Sequence, residues 1–236
     1  MPSRISSGGM SSTINPFGPQ WPKATEGAKE ARPVGDQVEE ALFGKRKPPV
    51  LDEDDFPEVT EILALLDKYR KKFAVMVGDQ EKDYRLQLAD GTLAMIDGHG
   101  TIFIGVRFLL KFQKNPSVLI GALAHEVGHR PHRWAEYKTK KDLNREEINE
   151  LCRFEETRAD LFAGRAMAEV NISPEPMIQF LEEIEEGPHP DYFPAKMRAD
   201  VIREGYNEQK SKVNNRKKMW PELDRATAAR LHLGDF

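Results

Sequence analysis

The chain has 236 residues, of which 39% are hydrophobic and 31% charged, which suits one soluble domain of moderate size with polar extensions. A net charge of −4 gives no electrostatic reason to bind nucleic acid, and a single cysteine, Cys152, excludes an internal disulfide framework and a cysteine-based zinc cluster. No apolar run approaches the roughly 18 residues that span a bilayer, and Met1 to Gln20 lacks the apolar core of a secretory signal, so the expectation is a cytoplasmic protein with no membrane span.

Residues 1–50 hold seven of the 16 prolines, mixed with Gly and Ser, and read as a flexible tail. Only Val38 to Phe43 suits a short helical turn. The alternative is a pro-segment lying over a site further along the chain. Asp52 to Asp55 places acidic residues where a helix begins. Val59, Ile62, Leu63, Leu65, Leu66 and Tyr69 then recur at helical spacing, predicting a helix to about Lys72. Four short stretches follow, Phe73–Val77, Tyr84–Leu88, Thr92–Ile96 and Thr101–Gly105. They are rich in β-branched and aromatic residues and broken by Gly and Asp, which predicts a small, mostly antiparallel sheet. Gly98-His99-Gly100 is a tight turn between the last two, and His99 is a turn residue rather than a ligand. Val106–Phe112 reads as helix, and Asn115-Pro116 breaks it and opens another, apolar along most of its length, that ends at Arg130-Pro131.

That apolar helix carries His125-Glu126-Val127-Gly128-His129. Residues four apart share a helical face, so His125 and His129 can aim both imidazoles at one atom. Neutral imidazole is a good zinc ligand, and two at this spacing make half of a tetrahedral site. Glu126 sits where a carboxylate can take a proton from a water polarised by the metal. Buried histidines and a buried glutamate without partners are costly, and a metal removes that cost. Gly128, a poor helix former, indicates a close approach to the backbone. His132 reads as a surface residue, and residues 133–144 as a charged loop.

Arg145 to about Val170 is a second long helix, with Ile148, Leu151, Phe154, Leu161, Phe162 and Ala166 on its buried side. Glu156 and Asp160 are four apart on a face near that apolar stripe. Glu156 can be the third ligand to one zinc ion, and Asp160 can accept the second ring N–H of a ligating histidine, His125. The competing reading is a solvated charged face made of Glu155, Glu156, Arg158 and Asp160. Cys152, one turn before Glu156, reads as a small buried residue. Pro174–Glu186 and Ala195 to about Tyr206 are further amphipathic helices, residues 207–218 are basic and exposed, and Met219–Phe236 is an apolar final stretch that docks or enters a cleft. The boundaries are a tail at 1–50, a domain at 51–206 and an extension at 207–236.

His-Glu-x-x-His followed by Glu-x-x-Ala-Asp resembles the gluzincins, and most the family that includes the CAAX prenyl protease and the bacterial membrane heat-shock protease. Ala94 to Gly105 is similar to that family's glycine-containing turn and edge strand, Leu119 to His129 to its apolar lead into the metal helix, and His189-Pro190 with Arg198 to its downstream segment. The likeness covers about Val59 to Tyr206. Leu93 stands where the family has Asn, no transmembrane helices lie between His129 and Glu156, and His189 to Arg198 is a longer gap. The resemblance implies an α+β, zincin-like metallopeptidase domain that cuts a protein or peptide substrate. Thr101, Ile102, Phe103 and Ile104 are then either a strand at the cleft rim that pairs with substrate or an ordinary interior strand. The oxyanion needs a donor besides the metal, and the resemblance favours Arg198 or His189, with Tyr192 a chemically suitable third. A protein that keeps the zinc fold only to bind a partner is the alternative function.

Overall fold

The computed structural model describes residues 47–131, 144–185, 187 and 192–219, with Gln37, Glu40 and Ala41 ahead of them. Those three have helical backbone; the rest of the turn predicted over Val38 to Phe43 lies outside the described residues. The rest of the leading tail, His132, the loop to 143, His189 and the final stretch after Met219 lie outside the described residues.

Helix α1 runs Thr60–Met76, past the predicted end at Lys72. Phe73 to Val77 is therefore not a strand. Phe73 and Ala74 extend the buried face of Ile62, Leu63, Leu66 and Arg70, and the helix meets no breaker before Gly78, whose φ of 84° suits glycine. The β-branched Val75 and Val77 imitate a strand, but the apolar period is that of a helix.

Three strands form the sheet, β1 (Arg85–Ala89), β2 (Ala94–Ile96) and β3 (Thr101–Gly105), in the order β1-β3-β2. β1 and β3 are parallel, with Leu86 opposite Ile102, and β2 and β3 are antiparallel, with Met95 opposite Phe103. The sheet is thus mixed rather than mostly antiparallel, because the chain passes outside the sheet through β2 and returns between β1 and β2. The turn Asp97–Gly100 joins β2 to β3 as predicted. The Asp97 carboxylate accepts the amides of His99 (3.0 Å) and Thr101 (2.9 Å), and Gly100 has φ 82°.

Helix α2 is Val106–Phe112 and α3 is Pro116–Gly128. Every residue of α3 from Val118 to Gly128 is buried, as the apolar run from Val118 to Ala124 demands, and His125 and Glu126 are buried with it. Helix α4 (Arg145–Glu169) starts at an Asn144 capping box with Glu147, and α5 is Glu175–Ile184. Helix α6 spans Ala195–Met219, well beyond the predicted end at Tyr206. Residues past 206 carry few apolar side chains. They are held to α4 by polar contacts instead, Arg165 to Glu208 at 2.6 Å and both Gln209 and Arg216 to Glu169 at 2.6 Å.

One core joins α1, the sheet and all five later helices. Within it, α4 lies against both α3 and α6 at backbone contact. A Cβ on Gly128 would stand 2.9 Å from Ala159 Cα, and one on Gly164 would stand 2.0 Å from the Ile202 carbonyl oxygen. Gly128 is therefore the close approach that its place in the helix implied. No helix among the described residues is long and apolar enough to cross a membrane.

Candidate metal centre

Helix α3 presents His125 and His129 on one face, and α4 crosses it so that Glu156 meets both. Glu156 Oε2 is 3.2 Å from His125 Nε2, and Oε1 is 3.6 Å from His129 Nε2. The two imidazole rings stand 4.8 Å apart and almost perpendicular, so they converge rather than stack. One ligand atom from each of the three residues lies within 4.8 Å of the others, and all three side chains are buried. Ligands about 2.05 Å from a tetrahedral centre are about 3.3 Å apart, so the carboxylate-to-imidazole distances match such a site.

Asp160 lies one turn beyond Glu156. Its Oδ1 is 2.9 Å from His125 Nδ1. A carboxylate only accepts, so Nδ1 carries a proton, and Nε2 is the nitrogen turned toward Glu156 and His129. Arg198, from the first turn of α6, donates to Asp160 from Nε (2.7 Å) and Nη2 (2.9 Å), and Nη2 is 3.6 Å from Glu156 Oε2. The Tyr192 ring packs over this guanidinium, 5.2 Å from its carbon.

Glu155, Glu156 and Asp160 are all buried, so this stretch of α4 is not a solvated charged face. Cys152, one turn earlier on α4, is buried in the apolar core, as expected for a small core residue. Three carboxylates, Glu126, Glu156 and Asp160, share the buried region with the single guanidinium of Arg198. Glu126 Oε1 is buried without a hydrogen-bond partner, and Glu156 Oε2 approaches His125 without hydrogen-bond geometry. Both are costly; a divalent cation between the three ligand atoms would relieve the second by coordination and would offset the negative charge of Glu126. The donor set of two imidazoles and one carboxylate fits a metal ion.

Burial pushes the Glu126 carboxyl up to about 8, against the opposing pull of His125, Arg198 and the Ile96 backbone amide. Burial alone would lower His125, but the hydrogen bond to Asp160 and the adjacent carboxylate of Glu156 outweigh it and raise the ring to about 10. Asp160 would also rise on burial; the charge and hydrogen bonds of Arg198 hold it below the usual carboxylate range. A bound cation would displace the proton from His125.

Two placements differ from the sequence reading. Thr101, Ile102, Phe103 and Ile104 belong to the central strand, whose backbone is paired on both sides, so they are not a substrate edge. The edge strand beside the centre is β2. Leu93 and Asp97 hydrogen-bond toward β3 (2.8 and 3.0 Å), so by alternation the backbone groups of Ala94 and Ile96 face away from the sheet, with the Ile96 amide toward Glu126. The Gly98-x-Gly100 turn directly after Ile96 carried that signal. Arg198 is the second case, since it faces two carboxylates instead of standing as a lone donor. Tyr192 lies beside it, and His189 is outside the described residues.

Comparison of the chain with protein-family models, with curated proteins and with solved structures gives no match, so the reading of this centre rests on its own geometry.

Proposed function

We propose that the chain is a zinc-dependent endopeptidase with a zincin-like domain of the gluzincin type, related to the CAAX prenyl protease and heat-shock membrane protease group. The observation that carries this reading is the convergence of His125, His129 and Glu156 beside the buried, unbonded oxygen of Glu126. Two imidazoles and a carboxylate form the three-ligand set of catalytic zinc sites that leave a position for substrate.

Zinc, when bound there, supplies a Lewis acid that polarises a peptide carbonyl and acidifies water. Glu126 takes the proton of the attacking water and delivers it to the leaving amine; burial raises its carboxyl, and the charge of a bound cation would draw it back toward the carboxylate that accepts a proton. Asp160 keeps His125 in one tautomer and one orientation. The outward backbone groups of Ala94 and Ile96 align an extended peptide as an added strand. Tyr192 and His189 remain the candidates to donate to the developing oxyanion.

The test compares the full chain with Glu126→Gln on an unfolded protein substrate, with and without a chelator. The expected result is chelator-sensitive cleavage by the wild type. The variant should retain its zinc and lose cleavage by a factor of about 10² to 10⁴. Stoichiometric zinc with no cleavage of any unfolded protein would favour a fold kept for partner binding.

A further inference from the structure

We infer that Arg198 is a positioning residue for the metal centre, orienting His125 through Asp160 and setting its charge beside Glu156, and so tying α6 to the α3–α4 pair. The inference rests on the metal-site reading above and extends it to a third helix.

Asp160 is 1% exposed and its two oxygens have distinct tasks. Oδ2 accepts from Arg198 Nε at 2.7 Å, while Oδ1 is shared between Arg198 Nη2 and His125 Nδ1, each at 2.9 Å. The planar guanidinium fork sets the plane of the carboxylate, and that plane sets the direction from which Oδ1 receives the imidazole N–H. The ring orientation of His125, and with it the aim of Nε2, is therefore fixed two bonds of contact away. The same Nη2 stands 3.6 Å from Glu156 Oε2, the oxygen nearest His125. One side chain thus faces both an inner ligand and the residue that orients another.

Packing alone does not call for this arginine. α4 and α6 already touch through Gly164 and Gly205, whose added Cβ atoms would meet opposing carbonyl oxygens at 2.0 and 2.2 Å. Arg198 is buried under the Tyr192 ring instead of reaching solvent, as a surface ion pair would. A lysine would keep the charge but offers no rigid fork, so it cannot hold both carboxylate oxygens in one plane.

The experiment uses the full chain stripped of metal. Zinc affinity is measured by competition with a chromophoric chelator, and the visible spectrum is recorded with cobalt(II). Arg198→Lys should weaken zinc binding on the order of 10- to 100-fold and alter the cobalt bands, which report ligand geometry. A double-mutant cycle with Asp160→Asn and Arg198→Gln covers the case in which a lone charge prevents folding. In the Asp160→Asn background, Arg198→Gln should cost less than about a third of its effect alone on a logarithmic scale. Wild-type affinity and spectrum in Arg198→Lys, or fully additive effects in the cycle, would overturn the inference while leaving the metal site intact. A wild-type chain that takes up no zinc would remove the site itself, and is seen before any substitution is made.

Discussion

A carboxylate at full burial with an unbonded oxygen destabilises the fold that contains it, and Glu126 is such a group. Its retention on α3 points to use rather than packing. In metal-stripped protein at neutral pH, Glu126→Gln should raise the urea midpoint, equivalent to about 1 kcal/mol, because the carboxyl must take up a proton to be buried and an amide need not. A lower midpoint in the variant would mean that the carboxylate is satisfied in solution. The identity of these residues was legible from spacing alone: His125 and His129 share a helical face, and Glu156 and Asp160 repeat that interval on the next long helix. The partner of Asp160 was not legible. Arg198 lies 38 residues further on in the chain, and nothing local marks it as facing a carboxylate rather than a substrate.

Elements bring the ligands together through contacts that tolerate little added volume. Gly128→Ala places a methyl group 2.9 Å from Ala159 Cα and 3.1 Å from its carbonyl oxygen, between the two helices that carry all three ligands. The expected cost is about 1–3 kcal/mol in urea unfolding, with weaker zinc binding as α4 moves off α3. An unchanged stability would show that the helices part freely. At the β2–β3 turn, Asp97 pairs with Lys47 and accepts two amides. Burial raises its pKa, but Lys47 and the Thr101 and His99 amides outweigh that and hold it below 3.8. Its contribution is therefore present above about pH 3.8 and lost as pH falls through the lower folded value. Asp97→Asn should cost about 1 kcal/mol at pH 7, and the gap from wild type should close in paired urea titrations as pH falls below 3.8 through the lowered folded value. A gap that is constant with pH would contradict the ion pair. The strand segments and this turn could be read from alternation and glycine placement. Strand order could not, because short links suggest hairpins, and only the packed sheet shows β3 passing between its neighbours.

For the molecule as a whole, the centre joins three helices that come from separate parts of the chain, so metal and fold are thermodynamically linked. Zinc at about 100 times its dissociation constant should stabilise the chain by about 2.7 kcal/mol, read as a rise in melting temperature that His129→Ala abolishes. The far half of α6 belongs to the same unit, bound to α4 by Glu208, Gln209 and Arg216. Its polar composition hides it from an apolar-period reading, which ends the helix at Tyr206. X-ray absorption at the zinc edge on the reconstituted full chain tests the central claim most directly. Two imidazole nitrogens and carboxylate oxygen at about 2.0–2.2 Å, with one imidazole lost in His129→Ala, is the predicted result. A sulfur ligand, an all-oxygen shell, or a spectrum unchanged by that substitution would contradict it.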